Sequence, residues 1–404
     1  MTSIAILGFG VVGSGCAEVL TKNKELIKVS CGSDIEIKYI LDLRDFPDSP
    51  FADRVVHNFD IIVNDPEISL VAEMMGGSHP AYEFTKACLE AGKSVVTSNK
   101  EVVANFGTEL LALAEKKGVS YLFEASVGGG IPVLRSIYVD LASNRICAVN
   151  GILNGTTNYI LTRMKDDGAS FADALAEAQR LGYAEANPTA DVEGLDAARK
   201  ISILCGLCFG KLVPPSAIPT QGITKITSAD IRGVAKLGYT IKLIGHADMN
   251  EQGKITALVG PHLVPASNPL SGISDVFNGV LLNGNMVGDV MFYGPGAGKL
   301  PTASAVVADI IDIVSGKGGA VKRPHFVNAT SADLTVFAEY ACPRYIKIFG
   351  LYTLSEIKQM VGTHFDRIEF DGDYAFVLTT PMTESEVAEL KHRCHDASVL
   401  RVLE

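Results

Sequence analysis

The sequence predicts an α/β protein in three parts, and three observations predict it. Apolar strand-like runs alternate with helical stretches over the first 125 residues, a glycine-rich turn directly follows the first run, and the final stretch reads as strand-helix-strand-strand-helix-strand. At 404 residues the chain is also too long for one compact core.

Composition narrows the class. A hydrophobic content of 47% and a charged content of 20% belong to a folded globular chain. The formal net charge of −11 disfavours nucleic acid or an anionic membrane as a partner. Ser3-Ile4-Ala5-Ile6-Leu7 reads as a first strand and not as a signal peptide. The strongest apolar run, Ile201 to Gly210, is about half of the roughly 18–20 residues a membrane helix needs. Of eight cysteines, only Cys205 and Cys208 form a C-x-x-C, inside that apolar run and without a second Cys/His pair at zinc spacing. Buried structural thiols and a reducing cytoplasm are the expectation.

In the first part, strands are expected at Ser3–Leu7, Ile35–Leu41, Ile61–Asn64, Leu70–Met74, Ser94–Thr97 and Ser120–Glu124. Helices are expected at Val11–Thr21, His79–Ala91 and Gly107–Lys117. A long helical tract then runs from Phe171 to Gly210, interrupted near Asn187-Pro188, before strand-like pieces at Tyr239–Ala247, Ile255–Val264 and Met286–Tyr293. This reads as an inserted α+β domain, after which Pro301–Val314 is again helical. The last part offers strands at Tyr345–Phe349, Arg367–Phe370, Tyr374–Thr379 and Val399–Leu403, with helices at Thr353–Val361 and Ser385–Arg393. That order suits a ferredoxin-like sandwich, serving either as a ligand-responsive module or as a packing unit. The domains expected are 1–130 plus 300–320, 131–299 and 335–404.

Gly8-Phe9-Gly10-Val11-Val12-Gly13 follows the first strand and opens the first helix. The first glycine permits the tight turn, the second lets backbone approach a pyrophosphate, and the third lets helix pack on strand. The pyrophosphate then meets free N–H groups at the helix start. This is the fingerprint of a Rossmann dinucleotide-binding fold, with Gly8, Phe9, Gly10, Val12 and Gly13 at the cofactor. Asp42 ends the second strand, where a carboxylate would bond a ribose 2′-hydroxyl and favour NAD, while Arg44 would hold a 2′-phosphate and favour NADP. Both are present, and the choice stays open.

The stretch from Gly182 to Lys200 carries the chemistry. Asn187-Pro188 breaks a helix, and Asp191 is placed to cap the next one, expected to run through Cys208. On it Asp196 and Lys200 are four apart and share a face with Ala197, Ile203, Leu204 and Leu207. An exposed pair of that spacing is worth a few tenths of a kcal/mol. On an apolar face, charges must be paired or functional. A lysine held there can donate a proton to a developing alkoxide.

Six segments together resemble the homoserine dehydrogenase family. They are Gly8–Gly13, Gly92 to Lys100, Glu124 to Pro132, Asn154 to Ile160, Gly182 to Lys200, and Gly294 to Ala303, in register over residues 1 to about 320. The resemblance implies reversible NAD(P)H-dependent reduction of L-aspartate 4-semialdehyde to L-homoserine by direct hydride transfer, in threonine and methionine biosynthesis. It implies Lys200 as the general acid/base and Asp196 beside it, with Glu185, Asp191, Gly182 and Lys100 at the substrate. Ser98, Lys100 and Gly298 would meet the cofactor, and Ser98 stands where the family commonly has alanine. The carbonyls of Glu124, Val127, Gly129 and Ile131 would hold a monovalent cation, Na+ or K+, which hard oxygen ligands suit.

The C-terminal unit resembles the ACT domain of longer family members, which implies threonine as feedback ligand. The usual acidic-x-x-Gly turn is replaced here by Ala341-Cys342-Pro343-Arg344. The family also implies a homodimer through the middle domain, or a homotetramer. Two other readings stand against this one. Acyl-enzyme dehydrogenases need a catalytic cysteine, and Asn154-Gly155-Thr156-Thr157-Asn158 carries none. A dinucleotide-binding sensor with degenerate catalysis would give no reason for an intact Asp196/Lys200 pair.

Overall fold

The computed structural model describes residues 1–316, 324–394 and 397–403. Residues 317–320 of the expected first domain, and 395, 396 and 404 of the expected last one, lie outside the described residues.

The first part builds a six-stranded parallel sheet. Its elements are β1 (Thr2–Leu7), α1 (Val11–Lys22), α2 (Lys24–Cys31), β2 (Ile35–Leu41), β3 (Val55–Val56), α3 (Asp60–Val63), β4 (Ile68–Glu73), α4 (Ala81–Glu90), β5 (Ser94–Thr97), α5 (Lys100–Lys117) and β6 (Tyr121–Leu122). The strand order is β3-β2-β1-β4-β5-β6, with every pairing parallel. This is the doubly wound order whose reversal point, between β1 and β4, opens a ligand crevice at the strands' carboxyl ends. Ile4, Ala5, Ile6 and Leu7 are fully buried, as expected of a strand covered by helices on both faces.

Three expectations need correction. Ile61–Asn64 is not a strand but lies on α3, and β3 precedes it at Val55–Val56. The Asn58 side chain accepts the Asp60 N–H at 2.9 Å and starts a helical turn that buries Ile62 and leaves Ile61 exposed; so short an apolar run does not declare its period. The strand expected to reach Glu124 stops at Leu122, because the chain tightens into a 3₁₀ turn at Glu124–Ser126. Helix α5 starts at Lys100 and not at Gly107, where the Asn99 side chain accepts the Val102 N–H.

The middle part contains α6 (Leu134–Tyr138), β7 (Ile146–Ile152), α7 (Gly155–Asp166), α8 (Phe171–Arg180), α9 (Thr189–Val192), α10 (Leu195–Phe209), β8 (Lys211–Leu212) and α11 (Ser228–Lys236). It continues with β9 (Tyr239–Met249), β10 (Ile255–Pro265), β11 (Phe277–Gly284) and β12 (Gly288–Pro295). Helix α12 (Lys299–Val314) then packs back on α1, so closely that a Cβ on Gly15 would lie 2.8 Å from the Lys299 carbonyl. Beyond it come β13 (Val327–Asn328), β14 (Ala341–Cys342), β15 (Arg344–Phe349), α13 (Leu354–Val361), β16 (Phe365–Asp371), β17 (Tyr374–Thr379), β18 (Met382–Thr383), α14 (Glu384–Arg393) and β19 (Ser398–Val402).

The C-terminal strands take the order β19-β15-β17-β16, the ferredoxin-like arrangement. They do not form a separate sheet. Strand β19 pairs in parallel with β10, placing His262 opposite Arg401, and one nine-stranded sheet runs β12-β11-β7-β9-β10-β19-β15-β17-β16. The join is backed by a buried charge cluster, with Glu384 accepting from Arg344 at 3.0 Å and from Arg401 at 2.7 Å. No described helix is long and apolar enough to cross a membrane.

Candidate active site

The dinucleotide cleft opens at the carboxyl ends of β1, β2 and β4, with a volume of about 500 Å³. Gly8 and Gly10 line it together with Asp42, Arg44 and the Met74–Gly76 loop. Gly8 has φ +87°, and a Cβ on Gly13 would sit 2.0 Å from the Gly8 carbonyl, so side chains are excluded at both ends of the turn. Gly10 caps α1 with no side-chain acceptor, which leaves the first N–H groups of the helix for an anion. The residues present fit a dinucleotide. Val12 is partly buried against the core cluster of the first part, and Phe9 is buried with its ring edge-on to Phe46 at 5.0 Å.

Asp42 and Arg44 are not alternatives in space. Arg44 Nε and the Arg44 guanidinium contact both carboxylate oxygens at 3.0 Å, and Asp42 also accepts the Phe9 N–H at 2.8 Å. Arg44 holds the Asp42 carboxyl low, at about 2. The ribose end therefore presents a charge-paired Asp42 and Arg44, an acceptor for a 2′-hydroxyl and a donor for a 2′-phosphate.

The second half of the site lies where α5 meets α10. Gly194, with φ +82°, starts α10 in the left-handed region, and the helix has no side-chain cap. The expected Asp191 cap is therefore corrected: Asp191 sits inside the short α9 and its side chain accepts from Asn154 Nδ2 at 2.7 Å. Burial raises the Asp191 carboxyl above its ordinary range.

One turn on, Asp196 is 5% exposed and Lys200 is 9% exposed. Lys200 Nζ donates to Asp196 Oδ2 at 2.7 Å and to the Leu153 carbonyl at 2.6 Å. An ammonium has three donors, and the third has no partner among the described residues. Asp196 Oδ1 lies 3.1 Å from Lys100 Nζ, and Asn154 Nδ2 donates to Oδ2 at 2.9 Å. Burial pushes the Asp196 carboxyl up, but Lys200 and Lys100 outweigh it and hold the group well below the usual carboxylate range.

Lys100 is the first residue of α5, where the helix dipole opposes a positive charge. Its compensation is Asp196, across the boundary between the two parts. A parallel pair, Arg199–Glu101 at 3.1 Å, fixes the same crossing. Thus the structure brings Lys200, Asp196, Lys100 and Asp191 into one cluster around Asn154.

Other expected residues are placed differently. Gly182, with φ +77°, ends α8, and Glu185 is exposed on the loop that follows, with no side-chain partner among the described residues. The Thr156 hydroxyl holds that loop by donating to the Tyr183 carbonyl at 2.6 Å. Ser98 follows β5, its N–H bonded to the Glu73 carbonyl at 3.3 Å. Gly298, with φ +119°, is the N-cap of α12.

Glu124, Val127, Gly129 and Ile131 lie in one buried turn, with Gly128 and Gly129 at positive φ. Among the described residues the Val127 and Gly129 carbonyls accept no hydrogen bond, so the turn carries uncommitted oxygens of the kind an alkali cation takes. Its Glu124 carboxylate is spent elsewhere, accepting the Leu134 and Arg135 N–H groups at 2.9 and 2.6 Å. Burial pushes that carboxyl up to about 7.

Sequence reasoning missed Asn154 and the Leu153 carbonyl. Asn154 caps α7 through the Thr157 N–H while its amide joins Asp191 to Asp196. The Asn-Gly-Thr-Thr-Asn segment carried a signal, since an Asn before a helix is a cap with an amide to spare.

A dinucleotide cleft together with a buried lysine–carboxylate pair defines an NAD(P)-dependent dehydrogenase. The sequence model of the homoserine dehydrogenase family matches residues 132–311, and that of its NAD-binding domain matches residues 8–124. The chain belongs to the homoserine dehydrogenase family. It is 45% identical over 314 residues to the homoserine dehydrogenase of Neisseria gonorrhoeae, covering 77% of this chain and 72% of that protein. The Bacillus subtilis enzyme is 42% identical over 379 residues, covering 90% and 86%. The crystal structure of a homoserine dehydrogenase from Thiobacillus denitrificans superposes with a TM-score of 0.91 at 34% identity, covering 100% of this chain and 98% of that one. A hyperthermophilic archaeal homoserine dehydrogenase in complex with NADPH gives a TM-score of 0.68 at 26% identity, over 80% and 99%.

Proposed function

We propose that the chain interconverts L-aspartate 4-semialdehyde and L-homoserine, with Lys200 as general acid/base. The observation that carries this reading is the Lys200 ammonium, anchored by two acceptors with its third N–H uncommitted. In the reducing direction that N–H gives its proton to the C4 carbonyl oxygen, and in the oxidising direction Lys200 takes it back from the hydroxyl. Asp196 keeps the amine in place and Lys100 beside it. Bound NAD(P)H supplies the hydride. Asp196 and Glu185 grip the substrate's amino group, Glu185 from its exposed loop, with Asp191 supporting them. The test is aldehyde-dependent loss of NADPH or NADH absorbance, with homoserine identified as product. Slow turnover of aspartate semialdehyde together with fast turnover of another aldehyde would overturn the substrate assignment.

The uncommitted carbonyls at Val127 and Gly129 support a Na+ or K+ ion in the Glu124–Ile131 turn. Strand β12 is an edge of the large sheet and exposes Tyr293 (54%) stacked on Phe277 at 5.3 Å. That apolar edge supports a homodimer through the middle part, and the free edge at β16 supports further assembly to a tetramer. The ferredoxin-like strand order supports an ACT-type regulatory domain with threonine as its ligand. A flat activity curve with added threonine would rule that role out. Eight free cysteines support a reducing cytoplasm.

A further inference from the structure

Glu73, the last residue of β4, is wholly buried and belongs to neither the cofactor turn nor the Lys200 cluster. It closes a ring of hydrogen bonds. Glu73 Oε1 accepts the Met75 N–H at 2.7 Å, and Oε2 accepts the Thr97 hydroxyl at 2.6 Å. Thr97 Oγ1 accepts the Asn99 N–H at 2.9 Å. Asn99 Nδ2 returns to the Met75 carbonyl at 3.3 Å and to the Gly77 carbonyl at 2.8 Å. One side of the ring is the loop that floors the dinucleotide cleft at Met75 and Gly76. The other side is the turn that starts α5 and presents Lys100 to Asp196.

We propose that Glu73 is a positioning residue: its carboxylate ties the Met75–Gly77 floor of the cofactor cleft to the Thr97–Lys100 turn, so that a seated dinucleotide and a correctly placed Lys100 depend on one another. The proposal rests on the reading of the Lys100–Asp196–Lys200 cluster given above.

The chemistry of the ring requires an acceptor at both oxygens. A backbone N–H cannot turn around, so Oε1 must accept from Met75. A proton or an amide at the other position would have to donate to Thr97, and the Thr97 hydroxyl proton would then lose its acceptor inside a site closed to water. Protonated Glu73 and a glutamine there present the same fault. Among the described residues no cation shares the carboxylate, and the titratable group that faces it is the buried Tyr121 of β6. Burial therefore pushes the Glu73 carboxyl up to about 7, against the pull of Thr97, Met75 and Asn99. The ring loosens as pH falls through that value.

The experiment compares full-length native protein, Glu73→Gln, Thr97→Val and Lys200→Ala, measuring kcat and KM for NADPH and aspartate semialdehyde from pH 5.5 to 9, with thermal unfolding alongside. We expect kcat of Glu73→Gln to fall on the order of 10–100-fold, the effect of misplacing a reacting group by about an ångström. Its KM for NADPH should rise, and the acid limb of the native profile near pH 7 should disappear. Thr97→Val should show at least the same kcat deficit, since it also leaves the Asn99 N–H without its acceptor, and the double variant should be no worse than Thr97→Val alone, because both changes break the Glu73–Thr97 bond. A purely packing role would lower the unfolding temperature and leave the pH profile of the surviving activity unchanged. Native kcat and an intact acid limb in folded Glu73→Gln would overturn the proposal. Should Glu73→Gln fail to fold, the same readings on Thr97→Val decide. Lys200→Ala reports separately on the cluster: if it keeps native turnover, the reading of the cluster fails, whatever Glu73 does.

Discussion

Asp196 at the start of α10 and Glu73 at the end of β4 are hidden from water to nearly the same degree, 5% and 0% exposed. Burial raises both carboxyls, yet they end on opposite sides of their ordinary range. Asp196 has Lys200 at 2.7 Å and Lys100 at 3.1 Å, and it is driven down. Glu73 has only neutral donors, and it stays up at about 7. Neutral hydrogen bonds offset part of the desolvation of a carboxylate, whereas two ammonium groups reverse it. The molecule uses the first arrangement to anchor a proton-transferring lysine beside a substrate. It uses the second to hold backbone.

The largest expected effect comes from breaking the cationic arrangement. Asp196→Asn leaves Lys100 and Lys200 facing each other without an anion. Turnover should fall by about 10² or more. Stability should fall on the order of 3 kcal/mol, read as a lower urea midpoint at unchanged slope. A variant as stable and active as the native chain would show that Asp196 is a spectator.

Stability against pH sharpens the contrast. The lowered Asp196 carboxyl contributes stability that is present above the ordinary aspartate value of 3.8 and is lost as pH falls through its depressed folded value. The raised Glu73 carboxyl works the other way: its contribution is complete below 4.5 and is lost as pH rises through about 7. Unfolding temperatures measured from pH 3 to 9 should therefore lose part of their acid-side slope in Asp196→Asn, and part of their decline between about pH 4.5 and 7 in Glu73→Gln. Identical slopes in all three proteins would dissolve the distinction.

Lys100→Met is a milder break, because Lys200 still holds Asp196. We expect a loss of about tenfold in kcat, with the KM for homoserine rising less. The smallest effect is at the far end of the cleft. Arg44→Ala frees Asp42, so the ratio of kcat/KM for NADP over NAD should drop about tenfold, a single charge-assisted contact. An unchanged ratio would place the 2′-position away from Arg44.

The sequence made the dinucleotide fold legible because its signals are local. Gly8, Gly10 and Gly13 act within one turn, and Asp196 and Lys200 reveal a shared helix face by spacing alone. What it hid depends on strand neighbours. Strand β11 was not expected, and its Asn278-Gly279 is of a kind more common in turns than in strands. In β7, Gly151 leaves room for the Leu153 side chain, which would lie 2.6 Å from a Cβ there. The join of β10 to β19 brings together residues far apart in the chain, and no period reports it. The Asp191 cap failed because Gly194 starts α10 through its own backbone conformation. The Glu73 ring was invisible for a related reason: Glu73 and Thr97 meet only as neighbours at the ends of paired parallel strands.

The central claim is that Lys200 moves the proton at the substrate oxygen, and the most direct measurement is NAD(P)H formation from L-homoserine by the native protein and Lys200→Ala, with dinucleotide binding measured on both. The account predicts that turnover in Lys200→Ala falls by about 10²–10⁴ while the dinucleotide binds as before. Native turnover in a folded Lys200→Ala protein would contradict it.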